Sequence, residues 1–157
     1  DCLKCILAVI VCRLVFGASH PDMIYLLCIY TAAGAILGHN FPFYMGFRGG
    51  KGIAATAGLI LSFHPWFVLV GAVLFFGAFF ITHYVSLGSL LVYVGFVIQL
   101  IIMGQNDFFD MEQGLLTEMY VVAFLLAVMA FWKHRENIKR LIRGEERKTY
   151  LTKKSEQ

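Results

Sequence analysis

The chain has 157 residues, of which 59% are hydrophobic and only 15% charged, and its mean hydropathy is +0.74. A soluble domain of this size carries about a quarter charged residues and could not hide so much apolar surface, so a water-soluble globular protein is excluded. The net charge of +3 matters less than its placement: Lys and Arg are absent from 53 to 132, and nine of the thirteen fall in 133–157 against four glutamates. By the positive-inside rule that tail is cytoplasmic.

In chain order, six apolar segments are expected to cross the membrane as helices, at about 3–17, 23–37, 53–63, 66–82, 89–103 and 119–132. The fold class is therefore all-α, a polytopic integral membrane helix bundle. Cys2, Cys5, Cys12 and Cys28 lie in or beside the first two segments. Without a second pair or a histidine cluster they read as small apolar fillers rather than metal or redox ligands. Arg13 sits deep in the first segment and is expected to snorkel to the outer interface. Pro65 breaks the chain between the third and fourth segments, so 53–63 reads as a half-helix. His20 and His64 fall on the outer side, as does the acidic loop 104–118. Four spans separate the Arg48/Lys51 link from the basic tail, and an even number places both in the cytoplasm.

Three polar stretches then meet at the cytoplasmic side. The first, 38–52, packs His39, Arg48, Lys51 and five glycines into fifteen residues between apolar flanks. Glycines let backbone N–H groups turn inward as an anion-binding nest, and a helix starting near Ile53 aims its positive end the same way. A phosphate site is one reading; a Gly-rich turn with membrane-anchoring cations is the other, and composition leaves the two equal. The second stretch, 82–89, is a short link in which Ser86 reads as a helix N-cap. In the third, His134, Asn137, Ile138 and Leu141 share one helix face, with Arg135, Lys139 and Arg143 on the other sides. A juxtamembrane helix binding anionic headgroups would also account for it. No P-loop, no H-x-x-x-x-D pair and no G-x-S-x-G elbow is present.

Taken together, these residues resemble the small bacterial membrane acyltransferases that use acyl-phosphate to acylate sn-glycerol 3-phosphate. Gly38-His39-x-Phe41-Pro42-x-Tyr44 into Phe47-Arg48-Gly49-Gly50-Lys51-Gly52 is similar to that family's second signature. His134-Arg135-Glu136-Asn137-Ile138-x-Arg140-Leu141-x-x-Gly144-x-Glu146 is similar to its third, and Thr82-x-Tyr84-Val85-Ser86-Leu87-x-Ser89 to its linker. The family's first signature, a Ser-Gly-Asn loop after the first span, does not occur here. The resemblance thus implies a member lacking its first span, seven spans in the complete protein, and a chain inactive as it stands.

The resemblance further implies transfer of an acyl group to the 1-hydroxyl of glycerol 3-phosphate, giving lysophosphatidic acid and phosphate for phospholipid synthesis. Lys51, His134 and Asn137 would be the catalytic residues. His39, Arg48, Gly49, Gly50, Gly52, Ser86 and Arg135 would bind substrate. Residues 1–132 would form the membrane acyltransferase domain and 133–157 a cytoplasmic basic helix and tail. No metal, nucleotide cofactor or nucleic acid is implied; the partners are glycerol 3-phosphate, acyl-phosphate and the bilayer of a bacterial inner membrane, and a monomer would suffice. The rival class is a non-enzymatic membrane module, a transporter or regulatory subunit that recognises anionic lipid or a phosphorylated solute.

Overall fold

A computed structural model of the chain describes residues 1–47 and 49–150. They form seven helices: α1 (Cys2–Phe16), α2 (Ile24–Asn40), α3 (Ile53–Phe63), α4 (Pro65–Thr82), α5 (Val85–Gln105), α6 (Gln113–Lys133) and α7 (Arg135–Arg143). α1 to α6 are apolar around most of their circumference. Such segments satisfy their backbone groups internally and have no need of a polar face.

The six expected segments all form helices. Among the described residues, however, four helical stretches are long and apolar enough to cross a bilayer by themselves: Pro21–Met45, Pro65–Thr82, Val85–Gln105 and Gln113–Lys133. α1 has 15 residues and carries Lys4 and Arg13, and α3 has 11, a length of about 16 Å. α3 is short because Gly52 starts it and Pro65 ends it, and it is tolerated because its neighbours enclose it. Ala55, Leu59, Ile60 and Phe63 are buried, chiefly against α1 and α2, with α4 on another side. α4 is the opposite case. Only Phe67 and Phe79 are buried on it, and Val73, Phe76, Phe80 and Ile81 face outward as lipid-facing side chains do.

Several ends depart from the sequence reading for local reasons. α2 runs on to Asn40, so His39 and Asn40 sit on its last turn and not in a loop. α5 starts at Val85, which puts Ser86 inside the helix; it is not the N-cap, and its hydroxyl bonds elsewhere. Pro65 occupies the first turn of α4, where its missing N–H costs nothing, and the His64 imidazole accepts from the Trp66 N–H at 3.3 Å. Arg13 does not simply snorkel outward. Its guanidinium donates to the Phe63 carbonyl at 2.6 Å and lies 5.1 Å from the Tyr25 ring centroid, so it caps the end of α3.

The bundle has two unlike ends. At one, Phe63 meets Tyr25, Phe67, Phe96 and Phe109 at centroid distances of 5.5, 5.2, 5.7 and 6.2 Å, and His64 packs edge-on to Phe108. His20 follows α1 at this same end. At the other, the α2–α3, α4–α5 and α6–α7 links come together. The three polar stretches therefore share an end, in keeping with the span parity. Cys5, Cys12 and Cys28 are buried as small core side chains.

α1 and α3 touch backbone to side chain at Gly58, where an added Cβ would lie 2.5 Å from the Cys2 carbonyl oxygen and 2.8 Å from the Cys5 Cβ. Gly58→Val should separate the two helices and destabilise the bundle by about 1–3 kcal/mol, read as a lower melting temperature in detergent. Gly77→Val, whose added Cβ meets nothing within 4 Å, should leave the melt unchanged.

Candidate active site

The site is assembled from four segments that share few sequence-local contacts. The last turn of α2 presents His39 and Asn40. The 41–52 link doubles back over it, with the Gly49 N–H donating to the Asn40 carbonyl at 3.2 Å. There is no room for a side chain at Gly49 or Gly50. A Cβ at Gly49 would be 2.1 Å from the His39 carbonyl oxygen, and one at Gly50 would be 2.3 Å from the His39 Nε2. Gly52 has φ +79, a conformation glycine adopts without strain, and there the chain turns into α3.

Lys51 leaves this link and donates from Nζ to Asn137 Oδ1 at 2.6 Å. The other half of the Asn137 amide donates to Glu146 Oε1 at 2.7 Å, and the Ser86 hydroxyl donates to the same oxygen at 2.7 Å. Arg140 Nε completes the set on Glu146 Oε2 at 2.8 Å. One carboxylate therefore gathers groups from α5 and α7. It lies beyond Gly144, whose left-handed conformation (φ 72) ends α7 and sends the chain back across the bundle. The return is fixed further on by Thr149 N–H donating to the His83 carbonyl at 2.9 Å. Burial pushes the Glu146 carboxyl up, but the donors Asn137, Arg140 and Ser86 outweigh it and hold its pKa below the ordinary carboxylate value.

His134 occupies the corner between α6 and α7 and is wholly buried. Its Nδ1 lies 2.8 Å from the Ala130 carbonyl oxygen, an acceptor, so Nδ1 carries the proton and Nε2 presents a lone pair. Burial lowers the pKa of the ring, and the Lys51 charge adds to that against the opposing Ala130 carbonyl and Glu146. Among the described residues, His134 Nε2 and Asn40 Oδ1 are the buried side-chain polar atoms without a hydrogen-bond partner. Both belong to this site, and buried polar atoms ordinarily find a partner. Lys133 draws the end of α6 onto α2 by donating to the Asn40 carbonyl at 2.8 Å.

Of the residues expected from sequence, Lys51, Asn137 and Ser86 are joined in one hydrogen-bonded chain through Glu146, and His134 lies under the Lys51 charge. Gly49, Gly50 and Gly52 shape the link that carries Lys51. His39 faces Asp1 at 3.2 Å and backs Gly50. Arg135 is not brought to the cluster: it is half-exposed and lies 4.8 Å from the Trp132 ring centroid. Arg48 and residues 151–157 lie outside the described residues. Sequence reasoning gave no role to Glu146 or Asn40. Glu146 stands at the end of the motif that resembles the family's third signature without a role of its own, and Gly144, two residues earlier, is the turn that brings it back to the cluster.

Beside the cluster, α3, α4 and α5 line an apolar cavity of about 350 Å³ that is partly open to the outer surface at Leu61 and Phe76. It begins at Ile53, two residues after Lys51, and at Ser89, one turn beyond Ser86.

The fold and site define a multi-pass membrane protein with a cluster of hydrogen-bonded polar side chains at one end. A family model described as glycerol-3-phosphate acyltransferase matches residues 1–144. A glycerol-3-phosphate acyltransferase of Mycoplasmopsis synoviae is 35% identical over 158 residues, covering 98% of this chain and 70% of its own length. One of Halalkalibacterium halodurans is 35% identical over 148 residues, with 94% and 67% covered. The crystal structure of PlsY (YgiH), an integral membrane glycerol 3-phosphate acyltransferase, superposes in its lysophosphatidic acid form with a TM-score of 0.78 at 27% identity, covering 96% of this chain and 69% of that one. Its glycerol 3-phosphate form gives 0.75 at 25% identity. The chain belongs to the glycerol-3-phosphate acyltransferase family and spans about two thirds of the length of these relatives.

Replacing Glu146 should unfasten the site. Glu146→Ala leaves the Asn137 amide and Ser86 hydroxyl without their acceptor and Arg140 without its counter-charge. The expected result is a loss of tenfold or more in kcat/KM together with a lower melting temperature in detergent.

Proposed function

We propose that this protein transfers a fatty acyl group from acyl-phosphate to the 1-hydroxyl of sn-glycerol 3-phosphate, at the cytoplasmic face of a bacterial inner membrane. The products are lysophosphatidic acid and inorganic phosphate. One observation carries the reading: the Lys51 ammonium and the buried, partnerless Nε2 of His134 share the polar end at which an apolar cavity begins, at Ile53 and Ser89. A substrate pair that is anionic at one end and aliphatic at the other needs both. Membership of an acyltransferase family favours this over a transporter or regulatory module, which would need the cation and the cavity but not the imidazole.

In this reading the Lys51 ammonium and the N–H groups of Gly50 and Gly52 hold a substrate phosphate at the start of α3, where the helix dipole is favourable. Gly49, whose N–H is taken by the Asn40 carbonyl, shapes the link and is not itself a phosphate donor. Asn137 orients Lys51 and is itself oriented by Glu146. The glycerol hydroxyl oxygen attacks the acyl carbonyl carbon, and the bond from that carbon to the bridging phosphate oxygen breaks, phosphate leaving with the electron pair. His134 Nε2 accepts the hydroxyl proton. Acyl-phosphate is an activated anhydride, so positioning and charge stabilisation suffice without a covalent acyl-enzyme. His39 and Arg48 are supporting phosphate contacts. Residues 1–132 supply the membrane-embedded part of the site, and 133–157 are the cytoplasmic basic helix and tail that carry the last motif.

Lys51→Ala should lower kcat/KM for hexadecanoyl phosphate and glycerol 3-phosphate by roughly ten- to hundredfold, the worth of about 1.5–3 kcal/mol for a charged hydrogen bond. Lys139→Ala, an exposed neighbour paired with Glu136, should stay within about twofold. Equal rates in the two variants would remove Lys51 from the reaction.

The pH dependence follows from His134. Its folded pKa is lowered, so the ring stays neutral below the ordinary imidazole value of about 6.5, and the acid limb of kcat should fall below that pH. The same shift means that stability is fully present above about pH 6.5 and is lost as pH falls through the lower folded value. In His134→Gln the residual rate should lose this limb.

A further inference from the structure

We propose that Gly71 gauges the length of the fatty chain that this site accepts, an inference that rests on the acyl-transfer reading above. The cavity between α3, α4 and α5 runs away from the polar cluster. It extends from Ile53 to Leu61 along α3 and from Phe76 to Val68 along α4, eight residues each way, or about 12 Å. Its walls are apolar apart from Thr56, Ser89 and Tyr93, of which Thr56 and Tyr93 are hydrogen-bonded to each other through their hydroxyls. An aliphatic chain entering beside Lys51 can follow this groove between the helices, past Gly71.

Gly71 stands partway down the wall, five residues or roughly 7.5 Å below Phe76. A Cβ there would lie 3.5 and 3.9 Å from Ile60 carbons and 4.0 Å from a Val92 carbon, which is ordinary contact. The position therefore has room for a methyl group, and anything longer would project into the cavity and close its lower part. Neither backbone nor packing requires glycine here. The residue lies within α4, is not among those with positive φ, and is not pressed by a neighbour. Glycine weakens a helix relative to alanine. What its absent side chain provides at 71 is cavity depth, and depth in an aliphatic slot is chain length.

The test compares Gly71→Ala, Gly71→Val and Gly71→Leu in the complete protein as its gene encodes it, in membranes at matched levels. kcat/KM is measured with octanoyl, dodecanoyl and hexadecanoyl phosphate. The ratio of hexadecanoyl to octanoyl activity should fall stepwise from Ala to Leu, by on the order of fourfold for each methylene shut out and at least tenfold in Gly71→Leu. Gly77→Leu, on the open side of the same helix, should leave the ratio unchanged. An unchanged ratio across the Gly71 series overturns the gauge while leaving the acyl-transfer reading intact. Should Gly71→Leu fail to insert, the Ala and Val ratios decide. If the wild-type protein transfers no acyl chain of any length, the acyl-transfer reading has failed and the gauge with it.

Discussion

Glu146 accepts from Ser86, Asn137 and Arg140, and on that carboxylate the geometry of the whole polar end depends. Without it, α5 and α7 would meet only through apolar side chains, which set distance but not the orientation of an amide. With it, Asn137 has one of its amide groups fixed, and the other is left pointing at Lys51. The order of these contacts matters physically. A carboxylate that accepts three donors stays ionised, and an ionised acceptor makes stronger bonds than a neutral one. A lysine on a glycine-rich link would otherwise sample many rotamers, and a held partner reduces that freedom before any ligand arrives.

Placing this chain in two solvents explains the rest of the architecture. The lipid-facing helices need no polar partner, so α4 can expose Phe76, Phe80 and Ile81 without penalty. The short helices are tolerated where other protein covers them, as α3 is between α1, α2 and α4. The far end is closed by aromatic rings around Phe63, and Arg13 is engaged there by the carbonyl that ends α3. The opposite end gathers the polar side chains of the α2–α3, α4–α5 and α6–α7 links, where a buried His134 can coexist with a lysine. The lysine charge disfavours a second cation beside it and so adds to burial in keeping the His134 ring neutral.

The sequence by itself determined the membrane class, through hydropathy, and the sharing of one end by three polar links, through parity. Local patterns also singled out Lys51, His134 and Asn137 as candidates, glycines beside a cation and an imidazole one turn from an amide, and the family resemblance supplied the roles expected of them. Helix periodicity and proline placed most boundaries for the same reason: they act within a few residues. Long-range facts were beyond reach of such patterns. Nothing near Ser86 marks it as a donor to a residue sixty positions later, so it reads as a cap. Arg135 follows directly on His134 yet turns outward onto Trp132, since adjacent helix positions point about 100° apart. The role of Glu146, the orphaned oxygen of Asn40 and the cavity beside Gly71 exist only once helices distant in sequence are packed. Hydrogen bonds and cavities are properties of space between elements, and in this protein only the tertiary structure decides what occupies that space.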